Sequence, residues 1–269
     1  MKIAFQTLAC PSWNWETIVS EAQRMGYDGI EIRGIEGEMY LPKARPFLPK
    51  NIEETMADLK MRGLEICCLD SGCAFHDRER YDIAITEGRD TIDLAARLGV
   101  PYIRVFGDLV PPGAQYEDVA SMVAHGLEEL GRYAEDKQVE VLLETHGDFN
   151  KQGVIHDVLG RVRSSSVGVL WDFEHPFMHG ESAEDTYRHL APYIKHTHVK
   201  DARHTEGSKE LCLIGEGEVP VPEIVALLKE GGYTGWLSLE YEKQWVPALE
   251  EPEVSLPAYI GFIKQVLGQ

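Results

Sequence analysis

Apolar positions along the chain alternate between two rhythms. Short, nearly continuous apolar runs predict strands at Lys2–Gln6, Gly29–Arg33, Glu65–Asp70, Tyr102–Phe106, Glu140–Glu144, Gly168–Asp172, Lys195–Val199 and Trp236–Glu240. Such runs are expected of parallel strands covered on both faces. Between them apolar residues return at helical spacing: Asn14–Met25, Asn51–Met61, Ile83–Leu98, Glu117–Lys137, His156–Val162, Ala183–Leu190, Val221–Glu230 and Glu253–Leu267. In the first, Ile18, Val19, Ala22 and Met25 share one stripe. Asn51 with Glu54 three residues later predicts a capping box. Gly26, Gly63, Gly99 and the pair Gly231 and Gly232 stand where a left-handed residue closes a helix. The phrase Gly-Tyr-x-Gly occurs at Gly26–Gly29 and Gly232–Gly235, predicting one helix-to-strand turn used twice.

Strand and helix alternating eight times predicts a single (β/α)8 barrel occupying residues 1–269 as one domain. The 269 residues match the ~250 that such a barrel needs. A doubly wound sheet is the structural alternative, but it would normally carry a glycine-rich phosphate loop after an early strand. The chain has no GxGxxG and no P-loop; Gly215-Glu216-Gly217 is too short, and Glu216 would oppose a phosphate. A hydrophobic content of 43% suffices for a sizeable core. No 18-residue apolar run suggests a membrane span. The start, MKIAFQTLACPSWNW, lacks the basic and long apolar segments of a signal peptide. The five cysteines are odd in number and form no CxxC pair, with Cys67 and Cys68 in an apolar run. Together these predict a reducing, cytoplasmic setting. The formal charge of -19 repels phosphate backbones and argues against a nucleic-acid partner.

Active sites of such barrels lie at the C-terminal strand ends, so the residues closing each strand carry the chemistry. The fifth predicted strand ends on Glu144, with His146 just beyond; the sixth ends on Asp172, with His175 three residues on. The seventh carries His196 and His198 on one side of the pleat, and the eighth ends on Glu240. Alone, a strand-end carboxylate is usually an N-cap and a strand histidine usually a core residue. Four consecutive strands delivering Glu144, Asp172, His198 and Glu240 to one rim are different. Three gathered carboxylates repel unless a cation neutralises them. Oxygen ligands with one imidazole suit Mn2+ first, with Mg2+, Co2+ or Zn2+ as alternatives. His196 lies deeper and suits a supporting role behind His198. Lys200 and Asp201 suggest a salt-linked loop. Glu31 and Arg33 end the second strand near the rim, within reach of a substrate. Asp70, His76 and Trp13 fall in rim loops, and Trp13 or Phe106 could pack on a sugar face.

At these residues the sequence resembles the xylose-isomerase-like superfamily of sugar isomerases and epimerases, near its ketose 3-epimerases. The resemblance spans essentially the whole chain: GYDGIEI at 26–32, LLETH at 142–146, WDFEH at 171–175, HTHVKD at 196–201, IGEGEVP at 214–220 and GYTGWLSLEYE at 232–242. It implies a (β/α)8 barrel with Glu144, Asp172, His198 and Glu240 as metal ligands. It also implies Glu144 and Glu240 as proton-transfer groups, and His175 and Arg203 as substrate contacts. His146 points the same way as Glu144 and joins them as a candidate contact. Asn150 departs from the acidic residue that the epimerases usually carry there.

The expected chemistry is enolisation of a polyhydroxylated carbonyl compound. A metal polarises the carbonyl and a carboxylate takes the neighbouring proton. Returning that proton to the other face epimerises; returning it to the next carbon isomerises. Loss of a hydroxyl or of CO2 would make the enzyme a lyase, a dehydratase or decarboxylase on a sugar acid or keto acid. A remoter alternative is an abasic-site endonuclease, disfavoured by the charge and by the single ligand quartet. The partner is expected to be a small sugar or sugar acid, unphosphorylated for want of a Lys and Arg cluster. Self-association and dependence on a partner chain stay open. The loops Gly34–Pro49, Ser71–Asp82, Gly107–Tyr116 and Asp201–Val219 would select the substrate, the first as an ordered cover.

Overall fold

The computed structural model describes residues 1–205 and 208–269; Glu206 and Gly207, within the last of those loops, lie outside the described residues. The chain runs β1 (Lys2–Gln6), α1 (Trp15–Met25), β2 (Gly29–Ile32), α2 (Ile52–Arg62), β3 (Glu65–Ala74), α3 (Tyr81–Leu98), β4 (Tyr102–Phe106), α4 (Tyr116–Ala134) and β5 (Glu140–Glu144). It continues through α5 (Gln152–Leu159), β6 (Val167–Asp172), α6 (Glu174–Met178), α7 (Ala183–Leu190), β7 (Ile194–Val199), β8 (Asp201–Thr205) and β9 (Ser208–Cys212). It ends with α8 (Val221–Glu230), β10 (Trp236–Leu239) and α9 (Pro252–Leu267). Eight strands close a parallel barrel in the order β1-β10-β7-β6-β5-β4-β3-β2. This is the (β/α)8 architecture that the alternation predicts.

Several local expectations differ. Asn14 is an N-cap, accepting from the Thr17 N–H at 2.9 Å, rather than the first helical residue. Asn51 makes no capping box: its backbone is already helical, and its amide donates to the Arg45 carbonyl at 2.6 Å. α5 begins at Gln152, four residues before the expected His156, because Ile155, Val158 and Leu159 form its buried stripe. The segment after β7 contains a two-stranded antiparallel hairpin, β8 with β9, that polar composition on both faces concealed. Of the glycine pair, Gly231 is right-handed and Gly232 takes the left-handed turn (φ 79°), matching Gly26 (φ 80°). In both turns the following tyrosine N–H bonds the carbonyl five residues back, Tyr27 to Ala22 and Tyr233 to Leu228.

The barrel interior is built in layers stepping two residues along each strand, the strand period. Its floor is Trp236 with Ala4 and Cys67. Gly29 makes room for that indole: a Cβ there would lie 2.7 Å from it and from the Glu65 carbonyl. Above come Glu31 and His196, then Gln6, Asp70, Arg104, Glu144, Asp172, His198 and Glu240, whose side chains meet across the barrel. The loop over Gly34–Pro49 is ordered by Leu41, Ala44 and Phe47, all buried.

Candidate active site

Each member of the quartet stands where its strand ends. Glu144 and Asp172 are the last residues of β5 and β6, His198 the penultimate residue of β7, and Glu240 follows β10. One ligating atom from each of Glu144, Asp172, His198 and Glu240 can be chosen so that all four lie within 4.8 Å of one another, in full burial. His198 Nε2 faces Glu31 Oε1 at 2.9 Å, and His196 Nε2 faces Glu31 Oε2 at 3.0 Å. A carboxylate can only accept here, so Glu31 fixes a proton on His198 Nε2 and leaves Nδ1 as the nitrogen that a cation would take over from a proton. Among the described residues that Nδ1 has no hydrogen-bond partner, and it lies 3.4 Å from Glu144 Oε1 and 3.5 Å from Glu240 Oε2. Among the described residues Glu144 Oε2 and Asp172 Oδ2 accept no hydrogen bond of good geometry, and each faces a buried cation instead. Asp172 Oδ1, by contrast, accepts the N–H groups of Glu174 and His175 at 2.7 and 3.2 Å, so one oxygen caps α6 while the other faces the quartet.

Two buried cations brace the carboxylates. Arg104 Nε lies 3.0 Å from Glu144 Oε2, and its Nη2 lies 3.7 Å from Asp70. Lys200 Nζ lies 2.7 Å from Glu240 Oε2, 3.0 Å from Asp172 Oδ2 and 2.9 Å from Glu242 Oε1. Burial opposes the charge on Glu240, but Lys200 and His198 outweigh it and hold the carboxyl well below its usual range. Glu144 is lowered too, burial and Glu240 being overcome by Arg104 and His198. Asp172 is not rescued: burial, joined by the charges of Glu240, Glu174 and Glu144 and only partly opposed by Lys200, pushes it up to about 8. Asp70 is likewise pushed up to about 8 by burial and by Glu31. Arg104 and Lys200 therefore leave the cluster short of positive charge.

A divalent cation fits that deficit. Ligands about 2.1 Å from an ion, at tetrahedral to octahedral angles, stand roughly 3.0–3.4 Å apart. The nitrogen-to-oxygen separations around His198 Nδ1, 3.4 and 3.5 Å, are close to that range, and an ion there would take the place of the protons that Asp172 and His198 otherwise hold.

A cavity of about 150 Å³ opens above the quartet, lined by residues that include Arg33, Phe106, His146, Lys200, Glu242 and Trp245, together with Glu144 and Glu240. It is smaller than the ~300–1,000 Å³ of pockets for drug-sized ligands, so it suits a small molecule. A larger groove of about 940 Å³, holding His76, lies between the β3–α3 and β4–α4 loops and touches none of the quartet. His175 is buried beside the cavity, its Nε2 3.3 Å from Lys200 Nζ and its ring 4.6 Å from that of His146. Burial and then the charge on Lys200 push His175 well below the usual imidazole range, leaving it neutral.

The structure places some other candidates elsewhere. Arg203 does not reach the cavity: Asp201 and Ala202 turn inward, while Arg203 is exposed and pairs with Glu216 at 3.1 Å. Asn150 is buried in the β5–α5 loop, bonded to the Gly147 carbonyl. Trp13 donates to Glu253 at 3.3 Å, and Asp70 sits one layer inside the barrel rather than on a loop. Asp201 organises the loop carrying IGEGEVP: its carboxylate accepts from Ala202, Gly215, Gly217 and Val219 at 2.8–3.1 Å. A Cβ on Gly217 would lie 2.1 Å from that carboxylate, which explains the glycine. Lys200, expected in a salt-linked loop, instead reaches the centre of the site. Arg104 was missed, although a charged residue inside the apolar run Tyr102–Phe106 signals an inward charge needing a partner.

Inosose dehydratase from Clostridium botulinum (strain Eklund 17B / Type B) is 26% identical over 267 residues, covering 88% of this chain and 85% of that protein. Fructoselysine 3-epimerase from Shigella flexneri is 24% identical over 235 residues, covering 82% of each. The crystal structure of the IolI protein with a bound zinc atom superposes with a TM-score of 0.82 at 18% identity, over 99% of this chain and 98% of that one. The family model described as xylose isomerase-like TIM barrel matches residues 19–265. This chain belongs to the xylose isomerase-like TIM barrel family.

Proposed function

We propose that the chain is a divalent-metal-dependent isomerase or epimerase that enolises a small polyhydroxylated carbonyl compound. The observation that carries this reading is His198, its Nε2 occupied by Glu31 and its Nδ1 aimed at the carboxylates of Glu144 and Glu240. Glu144, Asp172, His198 and Glu240 would hold the ion, with Mn2+ the first candidate. When bound, it supplies a Lewis acid that polarises a carbonyl and acidifies the neighbouring C–H. Glu144 and Glu240, braced by Arg104 and Lys200, are the proton-transfer groups: the ionised carboxylate that takes the substrate proton becomes the acid, and the proton is returned to the enediolate from it or from its opposite number once that has been protonated by solvent. Lys200 and Arg104 keep those carboxylates oriented, and His175 and His146 meet substrate oxygens at the mouth. Relatives named as an epimerase and as a dehydratase are compatible with this reading and with the second one below.

Incubating the Mn2+-loaded protein with a panel of ketoses in D2O should place deuterium on the carbon next to the carbonyl. Glu144→Gln and Glu240→Gln should each slow that exchange by about a hundredfold or more. Elimination without carbon exchange, or exchange undiminished in both variants, would sink the reading. A second reading, dehydration, is favoured by the Lys200–His175 contact, which could deliver a proton to a departing hydroxyl. It predicts water loss from a polyhydroxylated ketone, with an enone absorbance growing in step with product.

A further inference from the structure

The cations at this site are matched by anions, with one exception. Arg104 lies against Glu144 and Asp70 and donates to the Ser71 carbonyl at 3.0 Å. Lys200 serves Asp172, Glu240 and Glu242. Arg33 lines the same cavity, yet among the described residues its buried Nη1 has no hydrogen-bond partner. Its position is set from behind, since its backbone N–H donates to Thr7 Oγ1 at 3.0 Å. It stands two residues beyond Glu31, so it continues the inward face of β2 one layer closer to the mouth. Burial and the positive charge of Arg104 push its guanidinium down to about 10, and the carboxylates of Asp70, Glu87 and Glu240, none of them paired with it, only partly offset them. A largely buried guanidinium without a paired anion is unfavourable, and charges perturbed in this way cluster at functional sites.

We propose that Arg33 is a specificity residue that binds a carboxylate of the substrate, so that this enzyme acts on a polyhydroxy acid carrying a carbonyl. The assignment rests on the enolisation reading above for where the substrate sits. One guanidinium matches one carboxylate through two parallel N–H···O bonds. Glu240 and Glu242 border the same small cavity, and a phosphate dianion would meet their repulsion with only this arginine uncommitted. A neutral sugar would leave the guanidinium without its anion.

Calorimetric titration of the Mn2+-loaded protein tests this. The probes are D-gluconate, D-glucitol and D-glucitol 6-phosphate, six-carbon polyols differing in one terminal group, with quinate and myo-inositol as the cyclic pair. Wild type should bind the carboxylate about tenfold or more tightly than its neutral counterpart in at least one series, the scale of a charge-assisted pair. Arg33→Met should abolish that preference while leaving the weaker polyol binding in place, and Arg33→Lys should retain part of it. Wild type that binds no carboxylate, prefers the neutral polyol or the phosphate, or keeps its preference in Arg33→Met would overturn the assignment. Deuterium exchange is read separately. A chain that selects acids through Arg33 but exchanges no carbon-bound proton keeps this assignment and loses the enolisation reading.

Discussion

Glu31 lies a layer below the quartet, yet it determines what His198 can do. Burial opposes its charge, and His196 and His198 together overcome that cost and hold it well below the usual carboxylate range. By taking the Nε2 proton it leaves Nδ1 free for a cation. Glu31→Gln removes the charge while conserving shape, and an amide can donate to the imidazole as readily as accept. Divalent-metal affinity should then fall about 10- to 100-fold, the usual cost of losing such a support. Competition against a chromogenic chelator measures it; an affinity within about twofold of wild type would remove Glu31 from this role.

Strands and turns carry a different kind of dependence. β2 begins with Gly29 because the floor indole of Trp236 fills the space a side chain would need. Gly29→Ala should destabilise the fold by about 1–3 kcal/mol, the range for overpacking, as measured by urea denaturation. The barrel strands were legible in the sequence because burial on both faces demands continuous apolar runs. The β8–β9 hairpin was not: DARHT and SKELC carry no such run, and the backbone pairing that forms them leaves no hydrophobic signature. The quartet was legible because strand ends are addressable by counting. Lys200 and Arg33 belong to the same count of two, from His198 and Glu31, but charged residues beside a strand end look like solvated loop. Only the contacts across the barrel separate Lys200, which points inward, from Arg203, which does not.

At the scale of the molecule the buried charges make stability depend on pH and on metal together. Asp70 and Asp172, raised to about 8, contribute stability that is complete below about 4 and lost as pH rises through about 8. His198 acts in the same direction, its raised value making the loss extend above the ordinary imidazole range. Glu31, Glu144 and Glu240 act oppositely: their stability is present above about 4.5 and lost as pH falls through their lowered values. The metal-free protein should therefore lose Tm steadily between about pH 5 and 8.5. Added Mn2+ should restore progressively more over that interval, because it replaces protons that the carboxylates would otherwise retain. A metal-induced Tm increment that is flat or shrinks with rising pH would contradict this.

The two-residue stepping of the interior has a practical corollary for laboratory evolution. Arg33, Phe106, His146 and Glu242 form a ring one step above the residues that gather the quartet, and share no backbone position with them. Diversifying that ring alone offers a library in which the reactive centre is inherited intact and only the molecule presented to it varies.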